Sequence, residues 1–323
     1  MNKVLLKPLD FIPFILALSF AVILIINQPF STFTTEGIKM YFVCVLPSLF
    51  PLFFISTLLS FLNGTGRFAK LISPVTSKVF KINGACGYAL FMSLISGYPI
   101  GSSLISEFRS QSLINEAEAE RASVICSTSS PAFVISSVGG LMFNDITFGV
   151  ALYLCHILSS ITLGVGFSFY KRNCPPSLTV IKAKTSENVI YDCVLSAVNS
   201  ALFVGGLIAV FYLLVEVLFS LGVFNPILSL LNGIVNDQNL SKAIVFGIFE
   251  NTKGVKTASL FGVSKLSFCI CAMLCGFSGL STIFQSVAFL KKAKIKTAPF
   301  LISKILLTVI NLIYSLLISL LLF

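Results

Sequence analysis

Two hydrophobic segments of this chain stop short of what a bilayer demands. The first runs Ser93-Leu94-Ile95-Ser96-Gly97-Tyr98-Pro99-Ile100-Gly101-Ser102-Ser103, and the second Val245-Phe246-Gly247-Ile248-Phe249-Glu250-Asn251-Thr252-Lys253-Gly254. Each is apolar on the way in, breaks at a polar tip containing glycine, and leaves again within about a dozen residues, whereas a spanning helix needs roughly 20 apolar residues. Non-helical backbone at membrane depth is tolerated only where protein buries it or where it lines a wet cavity. Two such breaks at corresponding places in two halves of a chain point to a transporter's solute site.

Composition sets the class. Of the 323 residues, 56% are hydrophobic and 11% charged, where soluble domains carry about 25% charged residues. The chain reads as an all-α polytopic membrane protein. Its opening residues, Met1 to Pro29, carry Lys3 and Lys7 and then a span-length apolar run without a small-residue cleavage site. They read as a retained anchor rather than a signal peptide. The net charge of +10 does not indicate nucleic acid, because the basic residues sit in short loops beside spans, as the positive-inside bias places them. The expected partners are the lipid bilayer, a small-molecule solute and further copies of the chain in a homo-oligomer, with no nucleic acid. The cysteines show no Cys-x-x-Cys pair; Cys44, Cys126, Cys155, Cys269, Cys271 and Cys275 lie in apolar stretches and read as small buried hydrophobes.

Seven transmembrane helices can be drawn, at 10–28, 37–62, 122–141, 147–170, 189–220, 268–290 and 299–322, with Pro47 and Pro51 kinking the second. Segment 64–83 sets Phe68, Leu71, Ile72, Val75, Val79 and Phe80 against Arg67, Lys70, Lys78 and Lys81, the pattern of a helix lying in the interface. The interrupted segments become two re-entrant hairpins, 84–111 and 238–262. Charge parity supports this. With a cytoplasmic N-terminus, the basic stretches 64–81, 171–184 and 291–296 all fall inside, while 143–146 and 221–237 fall outside and hold no Lys or Arg. The organisation is then an extra helix (1–36), a first unit (37–170), a basic cytoplasmic loop (171–188) and a second unit (189–323). The units carry the same elements in opposite orientation, an inverted-topology repeat. Gly97, Pro99, Gly101 and Gly254 mark the hairpin tips, and the segment Asn115 to Arg121 reads as the solvated start of a helix.

Three constellations can carry chemistry. Cys126-Ser127-Thr128-Ser129-Ser130-Pro131 and Gly276-Phe277-Ser278-Gly279 each interrupt the span after a hairpin, freeing carbonyls beside hydroxyls that can hold a cation or a polar solute; packing of helices through small residues is the other reading. Glu250, Lys253 and Lys256 lie on the second hairpin, where ionisable groups point to function unless the hairpin is shallow and they reach water. Lys253 would favour an anionic solute. Glu216 and His156 lie within spans, His156 reading as a hydrogen-bonded structural residue, and Gln285 as a polar contact between helices. There is no His-Glu-x-x-His, no Gly-x-Ser-x-Gly and no phosphate loop, and the chain has one histidine, so no enzyme is expected. No bound cofactor or metal is expected either, and the coupling ion would be Na+ or H+.

The run Ser96-Gly97-Tyr98-Pro99-Ile100-Gly101, followed by Cys126-Ser127-Thr128-Ser129-Ser130-Pro131 and Gly139-Gly140, resembles the YlbJ-type sporulation integral membrane protein family of the nucleoside-recognition (Gate) group. More distantly, Thr252-Lys253-Gly254 and Cys275-Gly276-Phe277-Ser278-Gly279-Leu280-Ser281-Thr282 are similar to concentrative nucleoside transporters. The second resemblance implies a solute cavity lined by Tyr98, Ser127, Thr128, Asn251, Thr252, Phe277, Ser281 and Thr282, joined by Glu250 and Lys253 from the residue reading above. Gly97-Tyr98-Pro99 stands where those transporters carry an amide–hydroxyl–acid trio, which argues against a nucleoside. The sporulation resemblance implies a transporter of a small, dipicolinate-like solute in the bacterial cell membrane, at the membrane surrounding the forespore. A non-transporting scaffold or sensor of that membrane and a nucleoside transporter are the alternatives.

Overall fold

A computed structural model describes residues 18, 21, 22, 24, 25, 30–61, 64–177 and 186–323. Most of the expected first span, 10–28, and residues 178–185 of the basic loop lie outside the described residues.

The described chain is helical, and its elements fall into two series of the same order. The first holds a long helix α1 (Phe30–Phe61), a short helix α2 (Gly64–Val79), a hairpin of α3 (Gly84–Ser96) and α4 (Ile100–Ser110), a broken pair α5 (Glu116–Ile125) and α6 (Ala132–Met142), and a long helix α7 (Ile146–Phe167). The second holds α8 (Val189–Ser220), the short α9 (Asn225–Val235), a hairpin of α10 (Gln238–Phe249) and α11 (Asn251–Ser259), a broken pair α12 (Lys265–Phe277) and α13 (Gly279–Lys292), and α14 (Ala298–Leu322).

Among the described residues five helices are long and apolar enough to cross a membrane: α1, α7, α8, the α12–α13 pair and α14; α2 and α3, bent by 96°, would add a sixth if they made one span. Five of the expected spans are therefore present. The span expected at 122–141 is not one helix, because it breaks between Ile125 and Pro131. Pro131 has no N–H to give and restrains the residue before it. The span expected to start at 37 begins at Phe30 instead, and the loop 221–237 contains the apolar helix α9, which the turn-like run Gly222 to Pro226 concealed. Upstream of Pro47 and Pro51, Tyr41–Val45 of α1 is wound as a π-helix. The Cys44 carbonyl loosened by this winding accepts from Ser137 Oγ of α6 at 2.6 Å.

Helix α2 keeps its expected two-sided character. Ala69 is buried and Phe68 packs on Phe91 with ring centres 4.7 Å apart, while Leu71 and Val75 are exposed together with Arg67, Lys70 and Lys78.

The segment Asn115 to Arg121 is not solvated. Glu118, Glu120 and Arg121 are buried, because the loop after α7 folds over them. Arg121 donates to the carbonyls of Tyr170, Lys171 and Cys174, each at 3.1 Å. Glu118 accepts from the Asn83 backbone at 3.0 Å and from Ser177 Oγ at 2.7 Å. Lys171 pairs with Glu120 at 2.6 Å and Lys296 with Glu116 at 3.1 Å. These contacts gather the base of the first hairpin and the basic stretches near 171 and 296 at one end of the bundle. At the other end Phe143, Phe148, Leu240 and Phe268 share one core cluster with Val235 packed on it, which places the base of the second hairpin there.

Lys296 holds the Glu116 carboxyl below the usual carboxylate range through a hydrogen bond and charge attraction. A depressed carboxyl stabilises the fold above its unfolded pKa and loses that effect as pH falls through the lowered folded value. Arg121→Met strips three carbonyls of their donor, and we expect it to cost about 3 kcal/mol, read as a fall in the thermal unfolding midpoint of the purified protein.

Candidate functional site

Four places in the described chain leave helical geometry inside the bundle, and all four line one cavity. The breaks of the two hairpins supply Ser96 and Tyr98, and Glu250, Asn251 and Thr252; those of the two broken pairs supply Ser129 and Ser130, and Ser278 and Thr282. Gln285 of α13 and the apolar side chains Val45, Leu49, Phe133, Val204 and Ile208 complete the wall. The cavity's volume is about 60 Å³, room for a few water molecules and well below the roughly 300 Å³ at which small-molecule pockets begin.

Side chains hold the breaks open: in the first series they come from neighbouring elements, and at the second hairpin the hairpin's own carboxylate serves. At the first hairpin Gly97 takes φ +73 and the Tyr98–Pro99 peptide bond is cis. The Leu94 carbonyl left by the break accepts from Tyr153 Oη of α7 at 2.9 Å. Between α5 and α6, the Cys126 carbonyl accepts from Ser93 Oγ at 2.8 Å and the Ser127 carbonyl from Lys304 Nζ at 3.0 Å. The Ser129 N–H donates to His156 Nε2 at 3.0 Å, and Thr128 Oγ1 donates to the Ser93 carbonyl at 2.9 Å. At the second hairpin Glu250 caps α11, its carboxylate accepting from the Lys253 backbone at 2.7 Å. Ser278 sits in the left-handed region at φ 74, its hydroxyl 2.5 Å from that of Tyr98. Satisfying the backbone in this way is what makes broken helices tolerable in an apolar setting.

Of the residues expected at the site, Tyr98, Glu250, Asn251, Thr252 and Thr282 line the cavity. The others do not. Thr128 spends its hydroxyl on Ser93. Ser127 offers its carbonyl to Lys304, Ser281 is buried away from the lining, and Phe277 packs on the core beside α13. Lys253 turns away from the cavity: Nζ pairs with Glu216 of α8 and lies 4.0 Å from the centre of the Tyr212 ring and 4.5 Å from that of Phe246. Its side chain faces a second pocket, with Lys242, Lys256 and Glu216. Pro99 lines a third space beside Glu107 and Ser196.

The glycines expected at the tips divide. Gly97 is at a break, whereas Gly101 and Gly254 lie in the first turn after one. A Cβ on Gly101 would sit 1.8 Å from the Cys126 carbonyl oxygen, and one on Gly254 would sit 2.3 Å from the Gly247 Cα. Both glycines thus permit a backbone-to-backbone approach next to a break, the one between a hairpin and a broken pair, the other within a hairpin.

One buried charged residue beside the cavity escaped the sequence reading. Lys304 of α14 is buried, and its Nζ donates to Tyr98 Oη at 2.7 Å as well as to the Ser127 carbonyl. The signal was present, since a lone cation within a 25-residue apolar helix is a functional flag in a membrane protein.

The fold and the cavity define a polytopic helical membrane protein whose broken helices surround a polar site. The model of the Gate family, described as nucleoside recognition, matches residues 42–144, the part that holds the first hairpin and the first broken pair. The chain is 27% identical over 310 residues to the sporulation integral membrane protein YlbJ of Bacillus subtilis (strain 168), an alignment covering 87% of this chain and 76% of that protein. No solved structure matches the chain.

Gly101→Ala and Gly254→Ala should each destabilise the protein by about 2 kcal/mol or more through overpacking, with larger losses where backbone must move. Comparing thermal midpoints with those of Gly166→Ala, at a position with open space around it, checks this. An unchanged midpoint for Gly101→Ala would sink the packing argument.

Proposed function

We propose that the protein is a transporter of a small polar solute, bound where the four breaks meet, and that it works in the membrane biology of spore formation. The observation that carries the reading is the convergence of both hairpin breaks and both broken pairs on one cavity, where their hydroxyl, amide and carboxyl groups meet an apolar wall. Such sites in secondary transporters are built from discontinuous helices at the interface of repeated units. The matched order of elements in the two series, and the hairpin bases at opposite ends of the bundle, support an inverted-topology repeat. In that arrangement the two hairpins are re-entrant and the end holding Lys171 and Lys296 is cytoplasmic by the positive-inside bias. Similarity to a sporulation membrane protein supports the setting, and a dipicolinate-like acid is the first solute to test. Coupling would be to Na+ or H+, and the protein would perform no covalent chemistry.

Uptake into proteoliposomes holding the purified protein tests this, with radiolabelled dipicolinate and uridine in parallel under sodium and proton gradients. Asn251→Ala should lower uptake by about tenfold or more, the scale of losing one buried polar contact to a solute, while the protein still inserts. Full uptake by Asn251→Ala and Thr282→Ala together would refute the cavity as the solute site. Correctly folded protein that moves neither compound would favour the scaffold or sensor reading.

A further inference from the structure

Lys304 is a buried lysine for which the described residues supply no counter-ion. The other buried cations of the described chain have acidic neighbours: Lys253 is paired with Glu216, and Arg121 lies beside Glu118 and Glu120. Among the described residues no carboxylate lies within 4 Å of Lys304 Nζ. Its two oxygen partners are neutral, the Tyr98 hydroxyl at 2.7 Å and the Ser127 carbonyl at 3.0 Å. Two ring faces stand by it, those of Tyr98 at 4.5 Å and Phe300 at 5.2 Å. An ammonium has three donors, and one remains after these two bonds. A buried charge in an apolar bundle is retained where it is paired or where it serves a pathway.

The direction of the hydrogen bonds shows where that charge is felt. Tyr98 Oη accepts from Lys304 and lies 2.5 Å from Ser278 Oγ; with the Ser278 hydroxyl donating to the Cys275 carbonyl at 3.2 Å, the Tyr98 proton is the one free to point to Ser278. Tyr98 and Ser278 both line the cavity. The ammonium thus polarises a hydroxyl donor at the cavity wall without itself being in the lining, and a donor polarised by a neighbouring cation bonds an anionic oxygen more strongly than a neutral one. Glu250, the acid in the same lining, lies on the other hairpin, its carboxylate accepting from the Lys253 N–H at the start of α11.

We propose that Lys304, acting through Tyr98, selects an anionic solute, and that a carboxylate of the solute is the counter-ion this lysine lacks. The proposal rests on the transport reading and adds to it the charge of the substrate and the residue that reads it. On binding, the solute's carboxylate replaces Ser278 as the acceptor of the Tyr98 hydroxyl and takes the remaining donor of Lys304 as the lining parts.

Binding of two isosteric probes to the full-length protein in nanodiscs tests this: pyridine-2,6-dicarboxylate and the uncharged pyridine-2,6-dicarboxamide. Wild type should bind the acid about tenfold or more tightly than the amide, and Lys304→Gln should lose about that factor for the acid alone, the scale of one charge-assisted hydrogen bond. Lys304→Arg should retain the preference. Lys304→Met, which removes an uncompensated buried charge, should fold with an unfolding midpoint no lower than that of wild type, but without the rise that the acid gives wild type. Unchanged acid binding by Lys304→Gln overturns the proposal, as does a wild type that binds acid and amide alike. Uptake of either probe or of uridine would then leave the transport reading standing, whereas a wild type that moves no solute would remove that reading itself.

Discussion

Four times the backbone of this protein leaves helical geometry inside an apolar bundle, and at the two breaks of the first series side chains from other elements take up hydrogen bonds the helix gave up. An unpaired peptide group buried away from water costs on the order of several kcal/mol. The positions of Ser93, Tyr153, His156 and Lys304 are therefore not incidental to the breaks between α3 and α4 and between α5 and α6. Each donates to, or accepts from, a backbone group that has no helical partner. The lone histidine of the chain is an instance. Its Nε2 receives the Ser129 N–H, and this is what lets Ser129 and Ser130 present themselves to the cavity instead of winding into α6.

The same constraint explains why small residues gather beside the breaks. A broken helix brings its loose end against a neighbour, and the neighbour's backbone must come close enough for side chains to reach it. Gly101 meets the Cys126 carbonyl and Gly254 meets Gly247 at distances that leave no room for a Cβ. The two halves of the molecule solve this alike although their letters differ. Hairpin arm and broken pair are locked together in the first half, and hairpin arm and hairpin arm in the second.

Much of this was legible in the sequence, and the limits have physical causes. The breaks at Gly97, Ser127 to Pro131 and Ser278 announce themselves because glycine, proline and hydroxyl runs are costly in a spanning helix without a reason. Helix α8 was readable to the residue because no charged residue interrupts it between Asp192 and Glu216. Which way a side chain turns was not readable. Lys253 sits three residues past the second hairpin's break, so its distance along the chain suits the cavity. Yet α11 begins at Asn251, and two residues on, roughly 200° around the helix axis, Lys253 faces the far side, toward Glu216 and the ring faces of Tyr212 and Phe246. The burial of Glu118, Glu120 and Arg121 was hidden for a related reason: a run of charges looks solvated until the loop 170–177, distant in sequence, folds over it. The setting of Lys304 was not legible for the same reason, since its partner Tyr98 lies more than half the chain away.

The contact between Tyr98 and Ser278 bears on how such a molecule opens. On the proposed transport reading the walls of this small cavity separate to admit a solute, and the contacts that yield are those between the two series of elements. Within each series the breaks are held by several bonds at once, as with Ser93 and Thr128 on either side of Cys126. Between the series, at the cavity, the first hairpin's tip is tied by one hydroxyl, that of Tyr98, to Ser278 and to Lys304. A single hydroxyl that accepts from a cation and donates across the gap can exchange its acceptor for a solute oxygen without leaving a buried donor unpaired. Any rearrangement that broke the bonds inside a series would leave backbone groups of the breaks unsatisfied. The first hairpin is thus fastened firmly to its own broken pair and lightly to the opposite one, and the seam that gives way is the one the solute itself can replace.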